Sequence, residues 1–510
     1  MNNAFYQAPN VVPVQKPSVE PLGTGKKIQA LILLISCILW VDFGLFGGFH
    51  TGYTIAMWAT TIIYLIFAGK GKYTFYSVSC IALALLSTAI FAIYQDGLIQ
   101  FALFNLYFIL MTAALCDRYE IGKYSTASFR SIADTVVLTV AYPFMAIARA
   151  VKALFIREYK GTIRNKGILT GLLCAIPVIA IVLPLLISAD AAFEKMFSFL
   201  KHFDFVRTVF AVIFGVILFF LVYSHAYGAR HRIYPRTTRN DQQTHALPTA
   251  ALMSFSCAIS LVYVLYIISQ LTYFFSAFTG KTPADFLPAA YARRGFFEMC
   301  IICVINLIIM FCVILLSGRY KGKIQKPIAG ICTFISLFSL LLISTAISKM
   351  VLYINRFGLT RLRLLTSAFM IFLGIVFIVL ILRVFITKLP YMRPVVLAAA
   401  IIVMLVGFAD VDATIARYNI YAYQSGKLSS IDVEELMHLD DSAVPYMIDL
   451  LDDQDETIRK AIRLHLDARR SALKTQLEKN EYDFRIFNFS QHRAYQILNE
   501  NLEKLSSANA

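Results

Sequence analysis

The stretch SIADTVVLTVAYPFMAIARAVKALF, from Ser131 to Phe155, decides how the 510-residue chain folds. Within it Ile132, Val136, Val140, Phe144, Ile147, Val151 and Phe155 recur at steps of three or four, which is one face of a helix. Its apolar core, Val136 to Ala148, is too short to span comfortably; Pro143 interrupts it, and Asp134, Arg149 and Lys152 flank it. We read the stretch as an interfacial amphipathic helix lying on a membrane.

On either side the pattern changes to continuously apolar blocks of about 20 residues, the length that crosses a hydrocarbon core about 30 Å thick. Four precede it: Ile28 to Gly47, Phe49 to Ala68, Tyr73 to Tyr94 and Gly97 to Cys116. Seven follow: Ile168 to Ser188, Thr208 to Tyr227, Ala250 to Phe275, Phe296 to Leu316, Pro327 to Ser348, Leu364 to Val384 and Pro394 to Ala409. Continuous blocks favour helices, because barrel strands alternate apolar and polar over about ten residues. A composition of 58% hydrophobic and 15% charged residues, with mean hydropathy +0.67, excludes a soluble globular chain. The predicted fold class is all-α: a polytopic integral membrane helix bundle of about 11 transmembrane helices and one interfacial amphipathic helix, with a small helical C-terminal tail.

The basic residues support that count. With eleven spans and a cytoplasmic N-terminus, 25 of the 47 Lys and Arg fall on the cytoplasmic side, 10 in the opposite loops and 12 after Ala409. Cations near span ends are retained on the cytoplasmic side. If Ser131 to Phe155 crossed instead, Arg230, Arg232, Arg236 and Arg239 would face outward together with Arg319, Lys321, Lys323 and Lys326. An odd number of spans places the C-terminus outside. The tail carries 18 of the 31 acids and a net charge of −6, whereas the residues before Asp410 carry a net of +22.

The expected organisation is a disordered cytoplasmic N-terminus (1–27), a four-helix membrane segment (28–116), a basic cytoplasmic loop with the amphipathic helix (117–167), a seven-helix membrane segment (168–409) and an extracytoplasmic acidic helical tail (410–510). Lys26 and Lys27 precede an apolar stretch without a small-residue cleavage site, so the first span is read as uncleaved. The expected location is the cell membrane. The expected partners are the bilayer, anionic lipid headgroups near the cytoplasmic loops and an envelope protein bound through the tail. Nucleic acid is not expected, since no zinc-finger spacing or aromatic-basic groove module is present.

Motifs that would carry chemistry are absent. Gly69-Lys70-Gly71-Lys72 lacks the spacing and the hydroxyl of a phosphate-binding loop, and there is no H-E-x-x-H or G-x-S-x-G. Cys300 and Cys303 form a C-x-x-C on a span with no second pair or nearby His, so they are read as packing residues. No catalytic residue, metal or cofactor is assigned, and the reading leans away from an enzyme.

Polar groups within or beside spans are costly and therefore become the site candidates. Asp42 follows Trp40 in the first span and is either a membrane-embedded site or a headgroup-level residue, the second being preferred. Arg294, Glu298 and Asn306 are expected on one helix face, as an ion pair or as a proton or ion site. Pro177 and Pro184 kink the fifth span, with Asp190 just beyond it. Between the ninth and tenth spans, Gly358 is expected to stop one helix and Thr360 to cap the next, leaving Arg356, Arg361 and Arg363 as an outer cationic cluster. Such cations need acidic partners in the tail or an anionic ligand, and docking of the tail is the more economical reading.

Several motifs resemble those of the uncharacterised bacterial membrane proteins of the domain-of-unknown-function families 4153 and 4173. They are Ile176-Pro177 through Ser188-Ala189-Asp190, Tyr291-Ala292-Arg293-Arg294 to Glu298, Tyr353 with Gly358 to Arg363, Asp412 with Ile415 to Ile420, and Asp441-Ser442-Ala443-Val444-Pro445. The likeness covers roughly Gly167 to Leu451. It implies a bacterial membrane location and no established activity, and it draws attention to Asp190, Arg293, Arg294, Glu298, Thr360, Arg363, Arg417 and Asn419. The tail itself reads as helical pieces near Ile431 to Leu439, Ala443 to Leu451, from Glu456 to Asp467 or beyond, and Gln491 to Lys504, too few for a free-standing repeat array. The first functional reading is a cell-envelope interaction or sensing protein; a transporter or lipid-handling protein is the alternative, and an integral membrane enzyme ranks last.

Overall fold

A computed structural model of the chain describes residues 22–121, 130–155, 182, 205–231, 248–279, 296–316, 319–320, 323–324, 326–386, 389–479 and 484–506. The expected fifth span, with Pro177 and Pro184, lies outside these residues, as do most of the N-terminal lead and Asp190, Arg293 and Arg294. The described chain is helical apart from one two-residue antiparallel pair, β1 (Arg319–Tyr320) with β2 (Lys323–Ile324).

The first lobe contains α1 (Thr24–Gly47), α2 (Thr51–Ala68), α3 (Phe75–Ile93), α4 (Gly97–Tyr119), α5 (Arg130–Phe155) and α6 (Phe205–Arg230). The second contains α7 (Thr249–Thr279), α8 (Phe296–Leu316), α9 (Lys326–Phe357) and α10 (Arg361–Phe385), around a separate apolar core. Helix α11 (Met392–Phe408) packs on both α10 and α3 and joins the lobes. Ten of the eleven apolar blocks are thus helices. Along α1, Ile28, Leu31, Ile32, Ile35 and Leu39 are exposed while Ala30, Leu33, Cys37 and Trp40 are buried, the pattern of a helix with one face to lipid. By length and composition, nine described helices can cross a membrane, or ten if the bent pair at 392–424 is one span. The chain is a multi-pass membrane-embedded protein.

The two ends of the bundle are identified by contacts. At the entry end, where α1 begins, Lys26 Nζ donates to the carbonyls of Ile66 (3.2 Å) and Phe67 (2.8 Å), and Arg118 Nη2 to that of Gly69 (2.9 Å). At the far end, Asp42 in α1 meets Arg207 at the start of α6. Helix α11 runs from the first to the second. Arg393 in its first turn pairs with Asp117 at 2.7 Å, and the carbonyl of Gly407 accepts from Tyr94 Oη at 2.5 Å. A methyl at Gly407 would stand 2.6 Å from Ile90 Cδ1, so α11 sits close against α3 there.

Helix α5 passes as a span by composition, yet its contacts lay it across the entry end. Asp134 near its start lies within electrostatic reach of Cys116 in the last turns of α4, while the carbonyl of Ala153 near its finish accepts the amide of Leu22 at 3.5 Å, just before α1. Between them Leu138, Tyr142, Ala146, Ala150 and Ala153 are buried at steps of three and four. Gly228 of α6 lets the helices touch, because a methyl there would stand 2.8 Å from Ala146 Cβ. The opposite face exposes Val136, Val140 and Phe144.

After α11 the chain bends by 59° into α12 (Val411–Gln424), a helix the sequence reading did not delimit. The tail continues through α13 (Val433–Met437), a 3-10 turn at Asp441–Ala443, α14 (Val444–Met447), a 3-10 segment at Ile448–Asp452, α15 (Glu456–Lys479), a 3-10 turn at Phe484–Ile486, α16 (Phe489–Glu500) and α17 (Leu502–Ser506). Its apolar residues, among them Ile415, Leu436, Val444, Ile462 and Leu498, join the core of the first lobe, so the tail is docked. The orientation of α5 has a direct check. Cysteines at Ala133 and Lys152, both exposed, should react with a membrane-impermeant maleimide from one and the same side of intact vesicles; labelling from opposite sides would make α5 a span.

Candidate functional site

Among the described residues, the most concentrated polar chemistry lies where the tail meets the far end of the bundle. Four carboxylates come from separate parts of the chain. Asp96, in the short turn between α3 and α4, caps α4 by accepting the amides of Leu98 and Ile99, both at 3.0 Å. Asp410 sits between α11 and α12 with φ +49° and caps α12 through the amide of Ala413 at 3.2 Å. Asp412 is in the first turn of α12, and Asp440 precedes the 3-10 turn of the tail.

Arg361, at the start of α10, reaches into this group. It is bidentate to Asp412, Nε to Oδ1 at 2.8 Å and Nη2 to Oδ2 at 2.5 Å, and its Nη2 also lies 3.3 Å from Asp96 Oδ2. Both carboxylates are almost fully buried. The amide of Asp440 donates to Asp412 Oδ2 at 2.9 Å, and Ser442 Oγ bridges Asp410 and Asp440. Asp440 Oδ2 is buried and has no hydrogen-bond partner. Burial, with the charges of Asp412 and Asp410 behind it, pushes the Asp440 carboxyl up to about 7, and burial raises that of Asp410 as well.

The other candidates resolve into structural roles around this junction. Gly358 ends α9 at φ +78°, as expected, and a methyl on it would stand 2.7 Å from Asn419 Oδ1. Asn419 clasps the next residue from both sides, Oδ1 accepting the Leu359 amide at 2.6 Å and Nδ2 donating to its carbonyl at 2.8 Å. Thr360 occupies the cap position of α10, but its side chain makes no capping bond, contrary to the expectation. Arg363 turns back to the carbonyls of Phe357 and Gly358 and lies 4.2 Å from the centre of the Tyr353 ring. Arg417 is exposed on α12.

Asp42 is not a solitary charge but is ion-paired from two sides. Arg207 holds both its oxygens, at 2.6 and 2.8 Å, and Arg485 from the tail lies 3.4 Å away. Thr51 Oγ1 donates to the Phe487 carbonyl at 2.7 Å and Gln491 Nε2 to Gln95 Oε1 at 3.1 Å, so the last third of the tail is pinned to the same end. Glu298 and Asn306 do not share a face. Eight residues turn a helix about 80° past two full turns, leaving Glu298 exposed and Asn306 buried. Asn306 accepts from Tyr263 Oη and donates to Ser339 Oγ at 2.9 Å, tying α7, α8 and α9 together. Cys300 Sγ rests 3.3 Å from Met370 Sδ and Cys303 is buried, in keeping with packing.

The sequence reading did not single out Asp96 or Asp440. The Asp96-Gly97-Leu98 step before an apolar run was a usable cap signal for the first; nothing local marked the second, whose neighbours are brought in by the fold.

The chain matches the family described as "Domain of unknown function (DUF4153)" over residues 80–450 and belongs to that family. The match begins well before the residue 167 expected from the motifs, so α4 and most of α3 are part of it, and it includes all four carboxylates and Arg361. No curated protein and no solved structure matches the chain.

Two outcomes test the junction. Arg361→Gln strands two buried carboxylates and should lower stability by about 3–5 kcal/mol in chemical unfolding, with Asp412→Asn restoring part of that loss in the double variant. Asp440 binds its proton more tightly in the docked tail than in a released one, so its contribution to docking is full below about pH 4 and is lost as pH rises to about 7. Hydrogen exchange across the tail should quicken at least tenfold between about pH 5 and pH 8, after correction for the intrinsic rate, and Asp440→Asn should remove that response.

Proposed function

We propose that the protein is a membrane-anchored sensing or interaction protein whose docked helical tail is the working surface, facing the outside of the cell. The observation that carries this is the electrostatic junction: one arginine among four carboxylates fastens the tail, and one of those carboxylates titrates near neutrality. A fastening of that kind responds to conditions on its own side of the membrane. The positive-inside distribution of Lys and Arg supports a cytoplasmic entry end and hence an extracytoplasmic tail. Released or rearranged, the tail would present the apolar face that now joins the first lobe, a surface suited to an envelope protein.

A transport or lipid-handling role is the second reading, and His225 favours it. This histidine of α6 lies among helices of the first lobe, with Nδ1 2.7 Å from Tyr64 Oη and Nε2 3.4 Å from Thr112 Oγ1. An ionisable group inside a bundle is a functional candidate by position.

Proteoliposomes with a single orientation separate the two. For a sensor, acidifying only the tail side should increase protection of α16, acidifying only the entry side should not, and His225→Gln should leave the response intact. A response to either side alike, or its loss in His225→Gln, would move the assignment to transport. An alkaline phosphatase fusion at Ala510 should be active; an inactive, well-expressed fusion would place the tail inside.

A further inference from the structure

At the entry end the loop Gly69-Lys70-Gly71-Lys72 stands in front of three cations from three helices. Arg118 of α4 is only 2% exposed, and of its guanidinium nitrogens Nη2 alone has a hydrogen-bond partner, the Gly69 carbonyl; Nε and Nη1 are buried without one. The Tyr73 ring lies 4.1 Å from its Cζ and offers only a weak counterpart. Asp117, the adjacent acid, is turned to Arg393 and Thr74 instead. Lys26 and Arg230 complete the group, both lying against Gly69. Among the described residues no carboxylate pairs with Lys26, Arg118 or Arg230. A buried arginine with no acid beside it is costly, and an anion there would offset that cost.

The glycines let the loop lie close against the cations. A methyl at Gly71 would stand 3.3 Å from Arg118 Nε, and one at Gly69 3.2 Å from Arg230 Nη1 and 3.7 Å from Lys26 Nζ. Gly69 adopts φ +81°, so it is glycine by conformation as well as by space. Lys70 and Lys72 are exposed on the same loop. Beside it Ile66, Tyr73 and Phe75 present a bare apolar wall, Phe75 at 84% exposure. We propose that Lys26, Arg118, Arg230 and the 69–72 loop form a binding site for the phosphate of an anionic lipid, whose acyl chains lie against Ile66 and Phe75. The sequence motif that fails as a nucleotide loop thus serves phosphate differently, through converging side chains instead of a helix N-terminus.

Native mass spectrometry of the intact protein, with phosphatidylglycerol, phosphatidylcholine or inorganic phosphate added in turn, tests the assignment. Wild type should retain one phosphatidylglycerol at least tenfold better than phosphatidylcholine, and its Tm should rise with the first lipid only. Arg230→Gln combined with Lys26→Gln should remove the preference, and Gly71→Val, which covers Arg118 Nε, should do the same with all cations present. Arg230 is exposed, so its variant tests the site even if the others fold poorly. Equal retention of the two lipids, or a preference unchanged in Arg230→Gln with Lys26→Gln, would overturn the proposal. An equal rise in Tm with inorganic phosphate would overturn the lipid as the source of the phosphate.

Discussion

The guanidinium of Arg361 is the constraint on which the far end of the molecule depends. It joins the turn between α3 and α4, through Asp96, to the first turn of α12, through Asp412, from its own place at the start of α10. Two nearly buried carboxylates side by side repel each other strongly in a medium of low polarity, and the planar, permanently charged fork of an arginine offsets that repulsion in a fixed geometry. With the fork in place, α11 reaches the far end, the chain turns by 59°, and the tail settles on the first lobe with a shared apolar core. Asp440 then enters a site already crowded with negative charge, which is why it holds its proton so much more tightly than an exposed carboxyl.

The two ends of the bundle handle charge in opposite ways. The far end gathers acids around one arginine and adds a second three-way anchor, Asp42 between Arg207 and Arg485. The entry end gathers cations, neutralising Arg393 with Asp117 but leaving Arg118 without an acid. Between them α5 lies across the entry end, burying a face of small residues against α6 and exposing bulky apolar ones.

Most of the membrane architecture was legible because it follows from local rules. An apolar block of the right length becomes a helix in lipid, since its backbone groups have no other partners. Gly358 ended its helix because only glycine takes that conformation without strain, and of the three arginines around it Arg361 met an acid beyond α11, Asp412. What the sequence missed came from distance in the chain. Asp42 and its partners are 165 and 443 residues apart, and no spacing rule connects them. Asn306 looked like a companion to Glu298 when one helix was considered alone; its true partners, Tyr263 and Ser339, belong to two other helices.

By itself the sequence determined that this is a multi-pass helical membrane protein, with an amphipathic helix that does not follow the pattern of the others and an acidic tail set against a basic membrane portion. Those properties depend on composition and periodicity, which each segment carries alone. Only the tertiary structure decided which charges meet. It brought Asp96, Asp412 and Asp440 to Arg361, and it left Arg118 buried beside a glycine loop with two donors unfilled. Charge pairing acts over a few ångströms of space, and the residues that come that close are separated in the chain by whole helices.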